Sequence, residues 1–374
     1  MNKILTITVA VFLIVSCNSK NHDKSIIKIE NSNSKLIWPD SLPVYDHIVI
    51  VVEENKDYTE VIDADLAPYI NKYLRAEGAS FTNMYGEEHH SQGNYFWFFS
   101  GSNQDVGFND IVPNEDNNKN YPFTAPNIAS QLIDSGYTFS GYSESLPYIG
   151  CDTIRTFNII ERNGKMDTIG LYGRKHVPWI SFANVPDSLN KRFLDFPKDT
   201  ADFKNLPTVS FVIPNLNNDM HNGPDSVSIS IGDSWLKKNM DAYYQWSKNN
   251  NSLLIITFDE NDDFRHIKGL TDPDRNHICP DSLLAEDMDP KIKKDTLAND
   301  YENKVVTIFA GAHIKQGEYS EGKGITHVTI LRTIEAMYGL PKAGKQQINA
   351  ANYGISDDDI ITDVFQVISN RKPK

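Results

Sequence analysis

Two apolar runs of closely similar design stand out along the chain. One extends from Asp46 to Glu53 and ends in Glu54-Asn55; the other, Leu253 to Phe258, ends in Asp259-Glu260. Continuous runs of Val, Ile and Leu at this length predict strands buried on both faces. Both strands then deliver oxygen-bearing side chains at their carboxyl ends, the edge where open α/β sheets bind ligands.

Elsewhere the period changes. Ile70, Tyr73 and Leu74 have helical spacing within Ala67–Glu77, and Gly78 stops that helix. Ala79–Met84 reads as a short strand. A helix over Ala125–Asp134 ends at Gly136 and leads into a strand at Tyr137–Tyr142, and Thr208–Ile213 is a further strand stopped by Pro214. Asp233 reads as the cap of a helix that puts Leu236, Met240 and Tyr243 on one face and ends at Asn249–Asn251. Lys304–Ala310 is the last strand, and Thr326 opens a helix closed by Gly339 with Pro341 beyond it. This alternation predicts a three-layer α/β/α sandwich with a mostly parallel central sheet. Two stretches break it: 109–121, dense in Asn and Asp, and 262–301, polar and rich in Asp and Lys. Both are expected as surface insertions near the active edge of one catalytic domain spanning 41–374.

The amino terminus is set apart from that domain. Lys3 precedes an apolar stretch, Ile4–Val15, shorter than the roughly 20 residues a spanning helix needs. Ile14-Val-Ser-Cys17 resembles a bacterial lipoprotein signal, so residues 1–17 are expected to be a signal peptide with Cys17 as the lipidated residue; an ordinary secretory signal is the alternative. Residues 18–40, rich in Asn, Ser and Lys without periodicity, read as a flexible tether. On this reading the protein is held to a membrane by its lipid anchor in the bacterial cell envelope, periplasmic or surface-exposed. Cys151 and Cys279 are the remaining thiols, and their separation leaves pairing open.

Charge narrows the partners. A formal net charge of −14 offers no basic stripe for nucleic acid, so none is expected. A phosphate substrate would need a metal and local positive groups to overcome that field. Glu54, Asn55, Asp259 and Glu260 supply the oxygen donors that suit a divalent cation.

Between the two carboxylate strands lies Glu87–Tyr95, which runs into Phe96–Gly101. A Ser at the start of an apolar helix is ordinarily a cap. With His89 and His90 before it and Asn94 after it, Ser91 is instead placed at a helix N-terminus beside a metal, ready to lose its proton and attack phosphorus. Past Pro214, Asp219 and His221 lie in a segment of ordinary turn residues and have the spacing of a substrate clamp or second metal site. His327 sits in the first turn of its helix, where the dipole discourages protonation and nearby carboxylates favour it. It is a candidate metal ligand, or an acid for the leaving oxygen.

Together these blocks resemble a known family. Glu54-Asn55, the His89-x-Ser91-Gln-x-Asn94-Tyr95 block with Ser100-Gly101, Ile213-Pro-Asn-Leu with Asn218-Asp-Met-His221, Gly232-Asp-x-Trp-Leu236, Thr257-x-Asp-Glu260 and the block from Thr326-His to Glu335 resemble the phosphoesterase family. That family holds acid phosphatases and bacterial-type phospholipases C within the alkaline phosphatase superfamily. The resemblance implies a metal held by Glu54, Asn55, Asp259 and Glu260 with the nucleophile Ser91, and a phosphoryl pocket lined by His89, His221 and His327. It implies a phosphoseryl intermediate, a leaving group protonated by His327, Asn94 as a substrate contact, and Asp219 as an orienter of His221 or a second-metal ligand. Two departures are His90 and Gly93 where the family usually has Pro, and the long 262–301 insertion with His266 and His277, a possible lid over the pocket.

The expected function is a metal-dependent phosphomonoesterase of the acid phosphatase kind, using calcium, magnesium, manganese or zinc on a phosphorylated small molecule or lipid head group. A phospholipase C-like diesterase and a catalytically inactive lipoprotein that binds phosphoryl ligands are the alternatives.

Overall fold

The computed structural model describes residues 42–107, 109–162, 165–262, 303–320, 324–345, 350 and 359–366. The expected signal peptide and tether, with Cys17, and residues 263–301 of the expected insertion, with His266, His277 and Cys279, lie outside the described residues. The strands are β1 (His47–Glu53), β2 (Ala79–Phe81), β3 (Met84–Tyr85), β4 (Phe139–Ser143), β5 (Arg155–Arg162), β6 (Lys165–Gly173), β7 (Asn190–Arg192), β8 (Val209–Ile213), β9 (Ser252–Phe258), β10 (Thr307–Gly311), β11 (Gly317–Tyr319) and β12 (Ile325–Thr326). The α-helices are α1 (Tyr58–Val61), α2 (Ser91–Ser100), α3 (Ile128–Asp134), α4 (Asp225–Ser247) and α5 (His327–Tyr338).

Eight strands form one sheet in the order β11-β2-β10-β9-β1-β8-β4-β7. β10 runs antiparallel to β2 and β9, and the other pairings in this sheet are parallel. The two apolar runs are thus neighbours at its centre, and Ile48–Val52 and Leu253–Ile256 are buried as their composition requires. Helices α2, α3 and α5 pack on one another, while α4 packs with β9, β10 and the helical turn at Tyr69-Ile70.

Local details differ from the sequence reading, and the strand expected over 79–84 is split between β2 and β3, which lie in different sheets. The helix expected to start at Asp233 starts at Asp225, and Asp233 is buried in its middle. Its carboxylate accepts the amides of Tyr69 and Ile70 at 3.0 and 2.8 Å, so it does cap a helix, the one spanning the π-helical turns Ile70–Arg75. Between β4 and β8 the chain makes an antiparallel hairpin, β5–β6, outside the main sheet, and returns through a tight 3₁₀ turn at Arg174–His176. Residues 109–121 form neither helix nor strand among the described residues and lie against the start of α2 through Gln92. Cys151 is buried and makes no disulfide among the described residues. No helix among them is long and apolar enough to cross a membrane.

Candidate active site

Strands β9, β1 and β8 are adjacent and parallel, so their carboxyl ends open onto one edge of the sheet. Backbone bonds tie the three ends together. Glu54 N–H donates to Asp219 O at 2.7 Å, and Asp259 N–H to Glu53 O at 3.0 Å. Asn55 N–H donates to Asp259 Oδ1 at 3.2 Å. Glu54, Asp219, Asp259 and Glu260 are all buried there.

Ser91 is the first residue of α2, and the residue before it, His90, takes φ 67°. Asn55 and Met220 also adopt positive φ, 47° and 75°. These are three of the nine non-glycine residues with positive φ among the described residues, and they lie on three elements that meet at one edge. Ser91 Oγ lies 3.2 Å from Glu54 Oε2, 3.2 Å from Glu260 Oε1 and 3.4 Å from Lys175 Nζ. The far oxygens of both glutamates are held as well. Tyr95 OH donates to Glu54 Oε1 at 2.5 Å, and His89 Nδ1 pairs with Glu260 Oε2 at 2.9 Å.

The remaining expected residues fall around this centre. Asn94 Oδ1 accepts the amides of Glu87 and Glu88 at 2.7 and 3.0 Å, and its Nδ2 donates to Glu88 O at 2.6 Å. Its side chain is occupied by the loop that presents Ser91, where the sequence suggested a substrate contact. Asp219 Oδ1 accepts His221 N–H at 2.9 Å, so it orients the backbone of His221, whose ring Nδ1 lies 3.3 Å from Asn222 Oδ1. Burial, followed by the nearby Lys175 ammonium, lowers the His221 imidazole to about 4. His327 Nε2 donates to Phe258 O at 2.8 Å, which leaves Nδ1 as a buried lone pair with no hydrogen-bond partner among the described residues. Burial lowers its pKa to about 4, so the ring is neutral at pH 7.

Sequence reasoning missed three residues here. Lys175 and His176 arrive on the tight turn after the β5–β6 hairpin, and Asp110 arrives from the Asn-rich stretch. His176 Nε2 lies 3.2 Å from Glu54 Oε2, outside hydrogen-bonding geometry, and its ring stacks on Tyr95 with centroids 4.9 Å apart. The one available signal was the cluster Arg174-Lys175-His176 in so acidic a chain.

A sequence profile of the phosphoesterase family matches residues 63–341. The chain belongs to the phosphoesterase family. A phosphatidylinositol-3-phosphatase of Mycobacterium tuberculosis is 37% identical over 81% of this chain and 80% of that relative. An acid phosphatase of Aspergillus fumigatus is 24% identical over 79% of this chain and 56% of its own length, so this chain spans little more than half of that fungal enzyme. In fold it is similar to an alkaline phosphatase superfamily protein from Vibrio parahaemolyticus, with TM-score 0.52 at 12% identity over 83% of this chain and 71% of that one. This phosphoesterase is therefore a hydrolase of phosphoric esters.

The donor set of this phosphoesterase fits a divalent cation. Asn55 Oδ1, Asp219 Oδ2, Asp259 Oδ2 and His176 Nε2 are buried without a hydrogen-bond partner among the described residues. Glu54, His176 and Asp219 can each offer a ligand atom, all within 4.8 Å of one another. Burial raises the carboxyls of Glu54, Asp219 and Asp259, and repulsion adds to it, from Asp259 on Glu54 and Asp219 and from Glu260 on Asp259. Glu260 rises to about 8, by burial and then by Asp110. Orphaned hard donors that resist ionisation together are what a bound cation relieves. His176 extends the oxygen set read from the sequence towards metals that accept imidazole.

Proposed function

We propose that this protein is a metal-dependent phosphomonoesterase that works through a phosphoserine at Ser91. The observation that carries the reading is the position of Ser91 Oγ, at the N-terminus of a helix and 3.2 Å from carboxylates on two different strand ends. Glu54, Asn55, Asp219, His176, Asp259 and Glu260 would hold the cation, which when bound supplies positive charge to ionise the serine and neutralise the phosphoryl oxygens.

The protein's own groups account for the rest. Ser91 Oγ attacks phosphorus as its proton is released to solvent, Glu54 and Glu260 being the carboxylates nearest the oxygen. The bond from phosphorus to the leaving oxygen breaks, and at pH 7 that oxygen takes up a proton from solvent water. Water then attacks the phosphoserine, releasing phosphate and restoring the hydroxyl. Tyr95 and His89 keep the two glutamates aimed at Ser91. His327 and His221 are neutral at pH 7, so the free nitrogen of His327 presents a lone pair, which suits a proton or a cation rather than a phosphoryl oxygen; His327 protonates a leaving group only in acid solution.

The relative from Mycobacterium tuberculosis is named for a phosphate monoester on an inositol lipid. That name, with the lipoprotein-like signal ending at Cys17, supports a head-group monoester presented at a membrane as the substrate class. The test is hydrolysis of para-nitrophenyl phosphate against bis-para-nitrophenyl phosphate, with and without chelator, by wild type and Ser91→Ala. Chelator-sensitive release from the monoester, abolished in the variant, is expected. Preference for the diester would move the reading to a phospholipase C-like enzyme, and substantial turnover by Ser91→Ala would remove Ser91 as nucleophile.

A further inference from the structure

We propose that Lys175 is a catalytic residue of this site, its ammonium binding a non-bridging oxygen of the phosphoryl group that Ser91 receives. The proposal rests on Ser91 being the nucleophile. Lys175 Nζ stands 3.4 Å from Ser91 Oγ, and the Lys175 side chain is only 8% exposed. Phosphorus bonded to Oγ carries its other oxygens outward from that atom, so an ammonium at this distance is within hydrogen-bond reach of one of them.

Asp110 marks the place. Its Oδ1 accepts the amide of Gln92, the second residue of α2, at 3.2 Å, and its Oδ2 accepts Lys175 Nζ at 2.8 Å. A carboxylate therefore already spans the helix amide and the ammonium, the two donors an incoming phosphoryl group needs. The Asp110 side chain is 31% exposed where Lys175 is 8%, so the anion sits at the mouth and the cation inside. Substrate displaces the first and keeps the second.

A second lysine by the site is differently engaged. Lys56 Nζ donates to Asn55 O at 2.7 Å and pairs with Asp225 at 3.1 Å, at the start of α4. Burial works against the charge on Lys175, but the carboxylates of Glu54 and Asp110 outweigh it and hold its pKa above the usual lysine range. In a centre so rich in carboxyls, a fixed ammonium offsets repulsion of the substrate. A monoester brings up to two negative charges on the transferred group and a diester one, so Lys175 favours monoesters.

The experiment uses the full chain and inorganic phosphate as the probe. In Lys175→Met the inhibition constant for phosphate should rise by about tenfold or more, as expected for loss of a charged hydrogen bond. Its kcat/KM for para-nitrophenyl phosphate should fall by about 10²- to 10³-fold, with a smaller fall for the bis-ester. An unchanged phosphate constant, or equal losses on both esters, overturns the proposal. If circular dichroism shows Lys175→Met unfolded, Asp110→Asn carries the test: loss of the competing carboxylate should tighten phosphate inhibition several-fold, and unchanged or weaker inhibition overturns it. Failure of the nucleophile reading is separately visible as turnover by Ser91→Ala.

Discussion

Gly93 has no room for a methyl group. A Cβ built there would lie 1.6 Å from Glu88 Oε1, because the Glu88 side chain crosses the first turn of α2 at that point. Glu88 in turn accepts Trp97 Nε1 at 2.9 Å and Asn103 Nδ2 at 3.1 Å. The glycine that departs from the family's usual proline therefore makes space for a buried acid that braces the loop before Ser91. Gly93→Ala should displace Glu88, break those bonds and cost about 1–3 kcal/mol in a denaturant melt. It should also lower kcat, since the Glu87–His90 loop sets the nucleophile. A melt within about 0.5 kcal/mol of wild type would show that the side chain has an easy alternative path.

At the scale of elements, Asp233 couples two helices far apart in sequence. Asp233→Ala leaves the buried amides of Tyr69 and Ile70 without their acceptor, and should cost about 2 kcal/mol in urea unfolding while sparing KM. A negligible loss would mean that water takes over the cap. The same residue shows what the sequence could and could not reveal. Its chemistry as a cap was legible; which helix it capped was not, because the signal is local and the partner is 163 residues away. β1 and β9 were legible because strands buried on both faces are apolar throughout, and α5 because Thr326 and Gly339 bracket it, Gly339 at φ 65°. The β5–β6 hairpin was not, since Phe157, Ile159 and Met166 are exposed on it and no buried-face alternation announces a strand. Lys175 and His176 were hidden with it, and Asp110 lay in a stretch without period. Ser91, Glu54, Asp259 and Glu260 could be read as candidates because each sits where a regular element begins or ends.

At the scale of the whole molecule, a chain of net charge −14 encloses at its centre carboxyls that burial holds above their ordinary range. Their unfolded values are about 3.9 for Asp and 4.3 for Glu. Without a cation the folded state thus keeps protons that the unfolded chain has released. That contribution to stability is present at low pH and is lost as pH rises from about 4 towards and past the Glu260 value of about 8. Chelated protein should accordingly melt at a higher temperature near pH 5 than near pH 8. Added calcium, manganese or zinc should raise the melting temperature more at pH 8, where the acids are most ready to ionise around it. A cation effect that is absent or independent of pH would argue that these carboxyls do not bind the metal. The central pairing carries one further meaning. β1 and β9 run residue against residue, ending with Glu53 opposite Phe258, so Glu54 and Asp259 emerge side by side. A slip of one residue would carry one acid about 3.3 Å along and turn it to the opposite face, while the Val, Ile and Leu around it remained largely buried. Turnover is therefore a parity check on the fold: a mispaired sheet would pass most tests of compactness and still hydrolyse nothing.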